Sequence, residues 1–159
     1  MLTKIGNYEL GQSVDTSSLR EVSKDEWAGL QKNNYPNYMK SKIEKNFSIE
    51  DYKKNMAFDK MYENEKVSFL GVDWLVQIFT KNDKIWTIIA SRWAASKEEC
   101  EFVFKKAFQH ITENMGKHTK NPFLSKKFIW EWKEEDVGLV KGAIWGNGMV
   151  AISLIKKDI

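Results

Sequence analysis

The chain has 159 residues, a formal net charge of +3 from 25 basic and 22 acidic side chains, seven tryptophans and one cysteine. A domain of this length buries roughly 70% of the surface its unfolded form exposes, so it needs no disulfide framework, and Cys100 has no partner in the chain. No segment reaches the roughly 20 apolar residues of a membrane span, the opening residues lack an apolar signal region, and the charge is too small to argue for nucleic acid, so the expectation is one cytoplasmic domain over residues 1–159 with no membrane association.

Ser23-Lys24-Asp25-Glu26 reads as a capping box, in which the serine oxygen accepts from the Glu26 backbone while the Glu26 side chain reaches back, and Val22 and Trp27 occupy staple positions. A short helix is expected from about Lys24 to Lys32. Residues 36–55 are mostly charged, with Tyr38, Ile43, Phe47 and Tyr52 at mixed spacings, and are read as helical; nothing in 56–69 separates strand from irregular chain.

Val72 to Phe79 and Ile85 to Trp93 are rich in β-branched and aromatic residues and flank the polar run Lys81-Asn82-Asp83-Lys84, which marks a hairpin. Pairing Thr80 with Ile85 places Phe79 opposite Trp86, Gln77 opposite Ile88 and Asp73 opposite Arg92. Both faces are then apolar, so both are expected to be covered, by the rest of the fold or by a partner.

Ser96-Lys97-Glu98-Glu99 is a second capping box, and Cys100, Val103, Phe104, Ala107, Phe108, Ile111 and Met115 form one apolar stripe that ends at Gly116, a ready C′ residue. A long helix is expected over about 96–115, anchored in the core by Phe104 and Phe108.

Three strands should close the chain. Phe128, Trp130 and Trp132 alternate with Ile129, Glu131 and Lys133, and Glu134-Glu135-Asp136 makes a polar turn. Asn147-Gly148 is the pair favoured by a type I′ turn, and centring the hairpin there pairs Trp145 with Val150 and Lys141 with Leu154. The bulky face should rest on the long helix, while the face with Gly142, Gly146 and Ser153 leaves room for close approach. The fold class is therefore α+β: an antiparallel sheet of five or more strands, one long helix packed on it, and one or two shorter N-terminal helices.

Chemistry is not signalled. His110 and His118 lack cysteines or acids at zinc spacing, and Cys100 lies in the apolar stripe with no partnered base. The glycines at 138, 142, 146 and 148 fall within a strand and its hairpin, where a phosphate loop would need them between strand and helix. Glu131, Glu134, Glu135 and Asp136 read as a solvated hairpin tip. No catalytic residue, metal ligand or cofactor is expected.

The candidate partner-binding surface is Lys117, Lys120, Lys126, Lys127, Trp130 and Trp132, because no acid falls between Asn114 and Trp130 and aromatic residues follow the lysines at once. Lysines after a helix end complement its dipole, and beside tryptophan they also suit a protein partner with an acidic face. At least one of Trp74, Trp93 and Trp130 should lie partly open. No motif names a family. The expected function is a non-enzymatic, protein-binding accessory domain, most concretely a bacterial immunity or inhibitor protein that neutralises a toxin or enzyme, and self-association is compatible with it. The alternatives are a small apolar ligand held between helix and sheet near Trp74, Trp86, Phe104 and Phe108, and a nucleic-acid binder using residues 117–127, against which the low net charge weighs.

Overall fold

The computed structural model describes residues 2–33, 53–54, 56–118, 128–132, 137–144 and 147–156. Along the chain run β1 (Lys4–Ile5), β2 (Tyr8–Glu9), β3 (Arg20–Val22), α1 (Lys24–Asn33), β4 (Lys60–Phe69), β5 (Val72–Lys81), β6 (Lys84–Trp93), α2 (Lys97–Met115), β7 (Phe128–Trp132), β8 (Val137–Ile144) and β9 (Asn147–Ile155). β1 and β2 form a small hairpin. The other seven strands form one antiparallel sheet in the order β3-β4-β5-β6-β9-β8-β7, made of six strands of five to ten residues and the three-residue β3. The α+β class is as the sequence indicates.

One sheet face carries the main core. Val76, Ile78, Ile88, Ala90, Leu139, Val150, Ile152 and Leu154 are fully buried there with Val103, Ala107 and Ile111 of α2. Burying an aliphatic side chain of this size contributes about 1.5–3 kcal/mol, so this layer dominates the stability. The β1–β2 hairpin closes the same core beside the helix: Leu2 and Ile5 are buried in it, and the Leu2 amide donates to Met115 Sδ at 3.2 Å. Two-residue strands leave no periodic trace, which is why the sequence gives no sign of this hairpin.

α2 forms the serine half of its capping box, while the Glu99 carboxylate accepts from the Ala95 amide instead of returning to Ser96. Ser96 Oγ accepts from the Glu99 amide at 3.1 Å, and Gly116 ends the helix at φ 80°. The stripe is centred on Cys100, Val103, Ala107 and Ile111, whereas Phe104 and Phe108 are only partly buried on its flank. They border the core where the spacing alone placed them at its centre.

α1 is capped by half of its box. Ser23 Oγ accepts from the Glu26 amide at 3.1 Å, but the Glu26 carboxylate is held by Arg20 at 2.7 and 3.0 Å instead of turning back on the cap. Arg20 also reaches Glu63 at 3.2 Å, tying α1 to β4. The staple positions behave as expected, since Val22 and Trp27 join Phe58, Met61 and Phe79 in a second cluster on the opposite sheet face. There Phe79 meets Phe58 and Trp27 edge-on, at centroid distances of 4.9 and 5.6 Å. The helix expected over 36–55 falls almost wholly outside the described residues.

The hairpin of β5 and β6 turns through Asn82 and Asp83, both left-handed at φ 52° and 60°, and Thr80 pairs with Ile85. Beyond that pair the register differs from the sequence expectation: Phe79 lies opposite Thr87, Ile78 opposite Ile88 and Gln77 opposite Ile89. Trp86 is the extra residue of a β-bulge, and it moves every later residue of β6 to the other face. β4 is also bulged, between Asn64 and Val67, which conceals its alternation in the sequence.

The last hairpin is displaced by four residues from its expected register. Lys141 pairs with Val150, Leu139 with Ile152 and Val137 with Leu154, and Asn147 and Gly148 are strand residues of β9. A Cβ on Gly148 would stand 2.9 Å from both Cβ and Sγ of Cys100, so this glycine admits the close approach of α2 and does not form the turn. Four is an even number, so the bulky face still meets the helix.

Candidate functional site

Of the predicted contact residues, Lys117 is exposed just past the end of α2. Lys120, Lys126 and Lys127 lie outside the described residues. The backbones of Trp130 and Trp132 are in β7, in register with Leu139 and Val137 of β8, so the strand following the basic stretch is the last in the sheet order.

The tryptophans divide sharply by exposure. Trp74 is 1% exposed, and its indole Nε1 donates to the Phe69 carbonyl at 2.8 Å. Trp86 is half-buried under the Lys81 ammonium, which sits 3.9 Å from the ring centroid, a cation–π contact. Trp93 is 51% exposed at the end of β6, as expected of one of the three. Its Cα partner is Met149, and next along the same face lie Ser91 and Ala151, also paired. A large ring is thus exposed on a face whose neighbouring positions, Met149, Ser91 and Ala151, are half-buried.

The clasp between β6 and α2 escaped the sequence reading. Arg92 donates to the Asp73 carbonyl at 2.8 Å and is hydrogen-bonded to the Glu99 carboxylate, whose other oxygen accepts from the Ala95 amide at 2.7 Å. The Arg92 guanidinium, and then the Ala95 N–H, hold the Glu99 carboxyl below its ordinary range. An arginine inside an otherwise apolar strand, seven residues before a helix-start glutamate, was the available signal.

The possible chemical groups have structural surroundings. Cys100 is buried against Gly148, and burial pushes its thiol up, away from the reactive thiolate. His110 stands edge-on to Phe69 at 5.4 Å and His118 packs against Phe108 at 5.7 Å. Among the described residues no three His, Cys, Asp or Glu side chains converge as a metal site would require. Trp74 and Trp86 belong to opposite sheet faces, so they do not line a common pocket. A hollow of about 360 Å³ runs along Glu101, Phe102, Phe104, Lys105 and Phe108 of α2, and Phe102 is 56% exposed beside it. A second, of about 300 Å³, lies against Tyr8, Glu9, Gln12, Asp15 and Ile85. No helix among the described residues is long and apolar enough to cross a membrane.

The chain matches no protein-family model, no curated protein and no solved structure.

Proposed function

We propose that this chain is a non-enzymatic, protein-binding accessory domain, in its most concrete form a bacterial cytoplasmic immunity or inhibitor protein that neutralises a toxin or enzyme. The observation that supports it is Trp93, half out in solvent on the sheet face away from α2, with Met149 as its strand partner and Ser91 and Ala151 next along that face. Exposed indoles on firm scaffolds are the side chains that most often anchor protein interfaces. In this reading Trp93 supplies the anchor, while Lys117, Lys120, Lys126 and Lys127 with Trp130 and Trp132 supply charge and aromatic area toward an acidic partner. A second reading, a small apolar ligand beside Phe104 and Phe108, draws on the hollow of about 360 Å³ along α2.

The test is binding to the enzyme or toxin encoded immediately upstream of this chain's gene, with loss of that protein's activity on binding. Trp93→Ala should raise the dissociation rate about tenfold or more, and Lys117→Glu with Lys120→Glu should lower the association rate and flatten its salt dependence. An upstream product that neither binds nor loses activity refutes the inhibitor reading.

A further inference from the structure

The hollow beside the N-terminal hairpin has walls that are fixed before anything enters it. The Gly11 N–H donates to the Ile85 carbonyl and the Ile85 N–H to the Gln12 carbonyl, both at 2.8 Å, so the chain leaving β2 is stitched to the start of β6. The Gln12 N–H closes a turn on the Glu9 carbonyl at 3.2 Å, and the Ser17 N–H donates to Asp15 Oδ1 at 3.0 Å. The Asn64 amide donates to the Tyr8 hydroxyl at 3.0 Å, and Ser18 Oγ lies 3.5 Å from the same hydroxyl. About 300 Å³ stays open between these groups and Ile85, which is itself 2% exposed. That is the lower end of the range for small-molecule sites, and held walls reduce the ordering cost of binding.

We infer that this hollow binds a neutral, polyhydroxylated ligand the size of one sugar ring. The lining side chains select that chemistry. Glu9 and Asp15 bring carboxylates, which only accept, while Tyr8, Gln12 and Ser18 bring groups that both donate and accept. A ligand hydroxyl does both as well, so a ring carrying several of them gives its protons to the carboxylates and accepts from the amide and hydroxyls. Ile85 and the Tyr8 ring supply the apolar surface for the C–H face of such a ring. Among the described residues no lining side chain is cationic, which disfavours phosphate and carboxylate ligands. No three His, Cys, Asp or Glu side chains converge among them either, so a metal ion lacks its ligand set. An organic cation is the closest rival. Two exposed lysines weigh against it, since Lys4 is in register with Glu9 and Lys84 with Ser13, and their charges offset the two carboxylates at the range that steers ions. The site lies at the Ile85 end of β6, with Trp93 at the other end, so it stands or falls separately from a protein partner anchored there.

Titrating the isotope-labelled full chain with glucose, galactose, mannose and N-acetylglucosamine, each to about 100 mM, tests it through the amide shifts of Tyr8, Gln12, Ser13 and Ser18. At least one sugar should move these amides saturably, with Kd about 1–10 mM, while L-arginine and inorganic phosphate at the same concentration leave them in place. Glu9→Gln and Asp15→Asn should each raise that Kd about tenfold, because each replaces a charged acceptor by a neutral one. Tyr8→Phe keeps the ring and loses the hydroxyl, and should raise it about threefold. Four sugars without effect on these amides overturn the inference. So does L-arginine binding there as tightly as the best sugar, or a Kd unchanged in both carboxyl variants. If Glu9→Gln does not fold, Asp15→Asn and Ser18→Ala, both at exposed positions, decide in its place: an unchanged Kd in the two overturns the inference.

Discussion

The two faces of the sheet do different work. On the α2 face, side chains from β5, β6, β8 and β9 are sealed by the helix and the N-terminal hairpin, and Ile78, Ile88, Leu139, Ile152 and Leu154 have no exposed surface. On the other face, Phe79 and Met61 are buried at the end where Trp27 and Phe58 pack, but Met149, Ala151 and Ser153 are only half-buried and Trp93 is open. Alternate residues of one strand therefore answer to different demands. In β9, Ile152 is constrained by volume, while its neighbours Ala151 and Ser153 are free to serve a surface.

If that division is right, Ile152→Ala should cost about 2–5 kcal/mol in urea unfolding, while Ser153→Ala stays within about 0.5 kcal/mol. Comparable losses at the two positions would erase the distinction. Gly148→Ala should come next, at about 1–3 kcal/mol, because the new methyl meets Cys100 at 2.9 Å across a packed helix contact. Cys100→Ala in the same chain should recover part of that loss, and strictly additive effects would show that the close approach is not the cause.

The second face holds a polar fault that sharpens the comparison. Thr87 is 6% exposed opposite Phe79 and Ile155, and among the described residues its Oγ1 has no hydrogen-bond partner. Thr87→Val keeps the shape and should raise stability by about 1 kcal/mol, read as a higher denaturation midpoint; a fall of that size would mean the hydroxyl is satisfied. The smallest effect should belong to Glu99. Its folded carboxyl lies below the unfolded value, so its contribution is present at neutral pH and is lost as pH falls through the folded pKa. Glu99→Gln should leave a flatter acid limb in the stability profile. An acid limb identical to that of the wild type would remove the Arg92 clasp from the account.

The sequence patterns carried strand identity and helix position well, and register poorly. β-branched and aromatic enrichment marks β5 and β6, the contrast of a bulky with a small face marks β9, and two serine caps mark both helix starts to within a residue. Register failed twice, with unequal consequences. A single bulged residue, Trp86, reverses the faces of β6, and nothing local in Ile85-Trp86-Thr87 announces it. The four-residue displacement of β8 against β9 changes every partner and no face, so the helix-facing set stayed legible. Asn147-Gly148 misled because glycine serves two purposes that look alike in sequence: left-handed backbone, and absence of a Cβ. Only the second operates here, and its reason, Cys100, lies 48 positions away. In the candidate site, Trp93 was legible as one of three tryptophans; its selection depended on the bulge that turns it away from the helix.

The strand order has a consequence for how the chain comes together. β3 to β6 and β7 to β9 are two meanders in which each strand pairs with the next in sequence, and they share the single seam between β6 and β9. Every pairing within a meander closes a short stretch of chain except β3 with β4, while the seam must span α2 and the whole second meander before its first contact forms. Loop-closure entropy thus falls on the seam, and contacts such as Ala90 with Ile152 belong among the late events of folding. α2 bridges that gap, since its N-terminus follows β6 directly and Cys100 packs on Gly148 of β9. The helix is at once a wall of the core and the tether that shortens the search between two halves of a sheet.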